Sequence, residues 1–249
     1  MDYLYDGTFG GLLTCIYHHY YTEKASGIFK WDQYQSTLLG GCMQVETDDE
    51  KAARVYEAIE TKISPYDLRR IYKVYLSDDN EKEIKILRYT VYGFRIGSKI
   101  SLLHGDPVVA AVQAIEKRVN TERERMLQFV RFSVVENDVL YGRIEPDNDV
   151  LELIAEHFCD RFRNDPFMIH DVKRRKALVS FGGRWYITEF DGDIKPGASP
   201  DEKYYRGLWK TYFESISIKE RTNLRCQKNF MPVKYWKNIT EIVMSHKDD

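Results

Sequence analysis

Apolar and aromatic side chains recur every three or four residues from Phe9 to Tyr21 (Phe9, Leu12, Leu13, Ile16, Tyr17 and Tyr20), which is one stripe of an amphipathic helix. Residues 2–6 before it alternate apolar with polar and predict a short strand. Asp6-Gly7 then reads as a turn and Thr8 as a helix cap. From Thr22 to Gln44 neither period holds, so the segment reads as a long loop tied down by Ile28 and Trp31, with Gly40-Gly41 allowing a close backbone approach. Thr47 and Glu50 spell a capping box for a helix through Ile59. Ser64-Pro65, Ser77-Asp78 and Asp106-Pro107 open three more, the last running to about residue 121. Residues 1–125 therefore predict a mainly helical region, an array joined by short loops.

The period changes near Leu127. LQFVRFSVV mixes polar and apolar positions on both sides of the alternation, and predicts a strand with both faces partly covered. Glu136-Asn137-Asp138 turns it into a second strand, Val139 to Ile144. A helix carrying Leu153, Ile154, Phe158 and Phe162 opens between Pro146 and Asp149. Three short strands follow, 167–170, 177–181 and 184–188, with Gly182-Gly183 as the last hairpin turn. The fold class is α+β: an N-terminal helical array plus a small antiparallel sheet (β-β-α-β-β-β) covered by C-terminal helices. The second region, residues 126–249, ends in an aromatic amphipathic helix from 201 to about 218, set off by the linker DGDIKPGASP, and then a basic run.

That run, IKERTNLRCQKNFMPVKYWKNIT at 218–240, carries Lys219, Arg221, Arg225, Lys228, Lys234 and Lys237 against the single acid Glu220, in a chain of formal net charge -2. Leu224, Phe230, Tyr235 and Trp236 are threaded through it. One reading is a surface for an anionic partner on a docked, rigid segment; the other is a terminal helix whose long cationic stems snorkel outward. With 249 residues the chain has room for one large domain or two small ones. Four cysteines at long spacing, with no CxxC, predict a reducing compartment and neither a metal site nor a cofactor. No signal-peptide pattern opens the sequence and no window reaches 18 apolar residues, so a cytoplasmic protein with no membrane contact is expected.

Signatures for known chemistry are absent: there is no HExxH, GxSxG, GxGxxG or Walker spacing, so no catalytic residue is assigned. The densest polar feature besides the C-terminal run is HDVKRRK at 170–176, where Arg174, Arg175 and Lys176 could meet phosphates or simply form a solvated turn. Arg131 reads as a strand-interior arginine in need of an acid or a binding face. Arg184 and Trp185 offer a guanidinium and a stacking platform. With Lys228, Lys234 and Lys237 these make up the candidate nucleic-acid-binding set.

The phrases YDGTFGGLL, QFVRFSVVENDVLYGRIEPDNDVLELIAEHFCDRF and RTNLRCQKNFMPVKYWKNITE resemble a bacterial family of DNA metabolism or DNA repair proteins, a domain of unknown function. The likeness spans essentially the whole chain. The motif residues it carries over are Tyr5, Asp6, Gly7, Phe9, Arg131, Phe132, Pro146, Asp149, Arg161, Phe162, Arg221, Asn223, Met231, Pro232, Tyr235 and Trp236. The family is encoded beside radical S-adenosylmethionine proteins, and a related domain is fused to uracil-DNA glycosylase-like domains. The resemblance thus implies an accessory protein that binds DNA, a partner such as the radical protein, or both. Two alternatives stand beside it: a DNA-processing enzyme of the glycosylase or nuclease class, with Asp6 and Asp149 the acids to test, and a protein-interaction scaffold.

Overall fold

Tyr3 and Tyr5 alternate inward along strand β1 (Asp2–Tyr5), both fully buried, because β1 is the central strand of a sheet. In this computed structural model the described residues are 1–34, 41–192, 194, 204, 207–209, 211–212, 215–216, 223–239 and 242. The chain divides into two compact units, Met1–Asn120 and Thr121–Asp249.

In the first unit β1 pairs in parallel with β2 (Gly27–Lys30) on one side and β3 (Cys42–Gln44) on the other. The segment expected to be a long loop thus contributes two strands. They are four and three residues long, too short to show alternation, and β1 is the strand with which each pairs. Helix α1 (Phe9–Tyr21) starts where expected, with Thr8 Oγ1 accepting from the Gly11 amide at 2.9 Å. Asp48, rather than Thr47, caps α2 (Asp49–Lys62), accepting from the Lys51 amide at 3.0 Å. Thr47 is committed elsewhere, its hydroxyl donating to Asp6 Oδ2 at 2.7 Å. Ser64 caps α3 (Pro65–Tyr75), which is followed by α4 (Lys82–Ile96) and by α5 (Pro107–Phe129), whose first amides are met by Asp106. Arg70 is buried and ties these helices together. It donates to Glu116 Oε2 at 2.7 Å, to Asp67 Oδ1 at 3.0 Å and to the Tyr89 hydroxyl at 2.7 Å, so neither the cation nor the carboxylates are left uncompensated.

In the second unit α5 runs on to Phe129, so residues 127–129 are helical rather than strand. Glu122, Met126 and Val130 are each four residues apart and all buried. Strands β4 (Phe132–Val134), β5 (Leu140–Ile144), β6 (Phe167–Asp171), β7 (Lys176–Phe181) and β8 (Arg184–Glu189) lie in sequential order. The sheet is mixed, not antiparallel throughout: β5 and β6 are parallel, because α6 (Leu151–Arg161) carries the chain back to the end where β5 began. Phe158 of α6 packs with Phe167, Ile169 and Leu178 of the sheet, and Tyr235, Ile239 and Ile242 of the C-terminal run join the same core. Leu224–Phe230 is a short helix and Val233–Asn238 a 3₁₀ turn. Most of the linker and most of the aromatic helix after it lie outside the described residues; Leu208, Trp209, Tyr212 and Ile216 of that helix are exposed.

Candidate nucleic-acid interface

The C-terminal run is held by one carboxylate. Glu122, on the last turns of α5, accepts from the Asp147 amide at 2.9 Å, from the Asn148 amide at 2.7 Å and from Asn148 Nδ2 at 2.6 Å. It also accepts from Lys234 Nζ at 3.0 Å and the Tyr235 hydroxyl at 2.6 Å. Burial alone raises the Glu122 pKa, but the Tyr235 hydroxyl, the Asn148 and Asp147 amides and Lys234 outweigh it and hold it down at about 2. Burial and the same carboxylate push the Tyr235 phenol up to about 12. Burial works against the Lys234 ammonium, yet Asp147, Tyr235 and Glu122 raise its pKa above the ordinary lysine value.

Several expected DNA contacts are therefore engaged inside the protein. Lys234 bridges Glu122 and Asp147, and Lys237 Nζ lies 2.5 Å from Glu145 Oε2. Lys176 pairs with Asp149 at 3.0 Å. Arg174 pairs with Asp171 at 2.9 Å and donates to the Pro146 and Asp147 carbonyls. Burial is what raises the Asp171 pKa, and Arg174 opposes it. Arg131 is not strand-interior. It lies between α5 and β4, and its guanidinium donates to the Gln128 carbonyl at 2.8 Å, meeting the orphan acceptors of the helix end.

The motif residues of the resemblance likewise have structural work. Tyr5 donates to Glu83 Oε1 at 2.9 Å, and Gly7, at φ 84°, offers its carbonyl to the Tyr75 hydroxyl at 2.7 Å. Asp6 accepts from Thr8 and Thr47, and although burial opposes it, those hydroxyl bonds lower its pKa. Phe9 packs edge-on to Tyr72 at 5.1 Å between ring centroids, and Phe132 packs on Phe162 at 4.8 Å. Arg161 lies 5.6 Å from the Phe162 ring. Asn223 caps the helix Leu224–Phe230 through the Cys226 amide and is exposed. Trp236 Nε1 donates to the Met231 carbonyl at 2.8 Å, while the Tyr235 amide bonds to Pro232. Arg221 lies outside the described residues.

What remains open is one face of the β7–β8 hairpin. Residues directly opposite in an antiparallel pair share a face, and successive residues alternate. Arg184 is opposite Phe181, Tyr186 is opposite Val179 and Thr188 is opposite Ala177, so these six share the face away from α6; Ala177 is fully buried there, and the open part is Phe181, Arg184, Tyr186 and Thr188. Trp185 and Ile187 point the other way, into the core, which removes Trp185 as a platform. Phe181 is 77% exposed, Tyr186 is 59% exposed, and Arg184 is exposed with no ion-pair partner among the described residues. At the other end of the hairpin Arg175 is exposed, in the left-handed region at φ 53°, 3.4 Å from Asp191. Five residues of strand separate the two ends, roughly 16 Å. Arg184 and the 174–176 turn therefore flank one strip instead of converging on a groove. Lys228 is exposed on the helix Leu224–Phe230.

A family model described as a domain of unknown function, DUF4130, matches residues 80–241, more than half of the chain. The chain belongs to this family. No curated protein matches it. The DUF4130 match takes in α4, α5 and every described element of the second unit, so the Glu122 network and the open hairpin face both lie within it. Sequence reasoning missed Glu122, whose partners are 25 and 113 residues away, and it missed Phe181 and Tyr186, although the alternation Arg184-Trp185-Tyr186-Ile187 already carried the signal. Among the described residues no cluster of His, Cys, Asp and Glu could hold a metal ion, and no helix is long and apolar enough to cross a membrane.

Proposed function

We propose that this protein is an accessory of DNA metabolism that holds a single nucleic-acid strand along the open face of the β7–β8 hairpin. The observation that carries the reading is the pairing of two exposed rings, Phe181 and Tyr186, with Arg184 on the same face and Arg175 at the far end. Stacking on such rings is tolerant of sequence and contributes about 1–3 kcal/mol per base, while guanidinium groups follow the phosphates. A strip of this length accommodates a few extended nucleotides. The resemblance to DNA metabolism and repair proteins supports the setting, including work beside a radical S-adenosylmethionine protein.

Anisotropy of a labelled oligothymidylate at two salt concentrations tests this. Binding should fall steeply with salt, and Arg184→Ala should lower the slope of log K against log salt by about 0.7, the loss of one phosphate contact to a single strand. Tyr186→Ala should weaken binding roughly tenfold at either salt concentration. Absence of binding at low salt would instead favour a protein-interaction scaffold, and retention of full affinity in the Arg184→Ala, Tyr186→Ala double variant would remove the hairpin face from consideration.

A further inference from the structure

The first unit holds a cleft of about 500 Å³ between the C-terminal half of α1, the outer side of α2 and the end of α4. None of the contacts that build the candidate interface uses it. Its aromatic wall is made by consecutive turns of α1: the Tyr17 and Tyr21 rings are stacked, 4.4 Å between centroids and 27° from parallel. Tyr20 lies edge-on to Phe94 of α4 at 5.9 Å. The opposite wall is cationic. The Arg54 guanidinium lies 5.7 Å from the Tyr17 ring, and Lys62 is the second cation among the lining residues. Glu57 is the acid among the lining residues.

A core cluster does not look like this. Tyr21 is 70% exposed and Tyr20 47% exposed, in positions where a helix surface ordinarily carries charge. A ring that continues an existing stack gains a π-face without ordering a new side chain, since Tyr17 already holds Tyr21 in place. The surrounding cations would oppose a cationic ligand and suit an anion attached to that ring. Volume, stack and charge together fit one chemistry: a planar heteroaromatic ring linked to a phosphate.

We infer that this cleft binds a nucleotide, with the base on the Tyr17–Tyr21 stack and the phosphate between Arg54 and Lys62. The nucleotide has two sources, a free mononucleotide or one unpaired nucleotide of a strand, and the second rests on the function proposed above.

Equilibrium dialysis with radiolabelled dAMP, in parallel with anisotropy of a labelled oligodeoxyadenylate, reads the two sources separately. The variants are Tyr21→Ala and Arg54→Glu, both on exposed side chains; circular dichroism checks that each retains the wild-type fold. A free-nucleotide site predicts saturable dAMP binding that each variant weakens about tenfold. A strand site predicts that dAMP binds weakly while the oligonucleotide loses about tenfold in each variant. The Arg184→Ala, Tyr186→Ala protein separates this inference from the hairpin reading. If it keeps oligonucleotide binding that Tyr21→Ala abolishes, the cleft stands and the hairpin does not. Wild-type affinity for both probes in folded Tyr21→Ala and Arg54→Glu proteins would overturn the inference, as would no binding of either probe to the wild type at low salt.

Discussion

Glutamine in place of Glu122 keeps the size of the side chain and removes its charge. The carboxylate accepts five hydrogen bonds, and glutamine must turn an NH₂ group toward donors that already point inward. Two routes give the magnitude. The shift from an ordinary 4.5 to about 2 corresponds to about 3 kcal/mol of preference for the ionised form in the folded state. Removing one member of a buried, hydrogen-bonded ion pair costs about 3–5 kcal/mol. Glu122→Gln should therefore lose about 3–4 kcal/mol. Because the folded pKa is depressed, the stabilisation is complete above the unfolded value and is lost as pH falls from about 4.5 toward 2. Urea unfolding followed by tryptophan fluorescence, repeated across that window, measures both effects. The wild type should lose stability as the pH drops, and the variant should start lower and show a flatter acid limb. Lys234→Met should cost less, about 1–2 kcal/mol, because Glu122 keeps its amide and Tyr235 donors. A Glu122→Gln protein within about 1 kcal/mol of wild type at neutral pH, with an unchanged acid limb, would refute the reasoning.

Thr90 is buried on α4 with no hydrogen-bond partner for its hydroxyl among the described residues, so Thr90→Val should raise stability by about 1 kcal/mol, read as a higher urea midpoint at unchanged m-value. A β-carbon on Gly11 would sit 2.4 Å from Asp6 Oδ1 and 2.8 Å from Thr47 Oγ1. Gly11→Ala should then cost about 1–3 kcal/mol despite alanine's better helix propensity, with thermal unfolding as the measurement.

Three helix starts were legible because capping is local: Thr8, Ser64 and Asp106 each meet amides two or three residues on, whereas α4, expected to open at Ser77-Asp78, begins at Lys82 with no side-chain cap. The same locality misled at Thr47, where the capping-box spelling was present but the hydroxyl had a better partner in Asp6, 41 residues away. The basic residues of the C-terminal run were conspicuous in the sequence as charge, but their carboxylate partners at 122, 145 and 147 were invisible because about 90 to 110 residues separate them.

The periodicity of the chain by itself determined that helices precede a five-stranded region, where most of them begin, and that the last segment carries anchors as well as charge. It did so because capping, turn chemistry and amphipathic stripes involve residues within a few positions of one another. Tertiary structure alone decided that β2 and β3 form a parallel sheet around β1, that β5 and β6 run parallel, and which cations face water. Those outcomes depend on pairing between distant segments. A lysine reads the same in sequence whether it faces solvent, as Lys228 does, or bridges a buried carboxylate, as Lys234 does. The difference lies in the desolvation of Glu122, which exists only once α5 and the C-terminal turn have met.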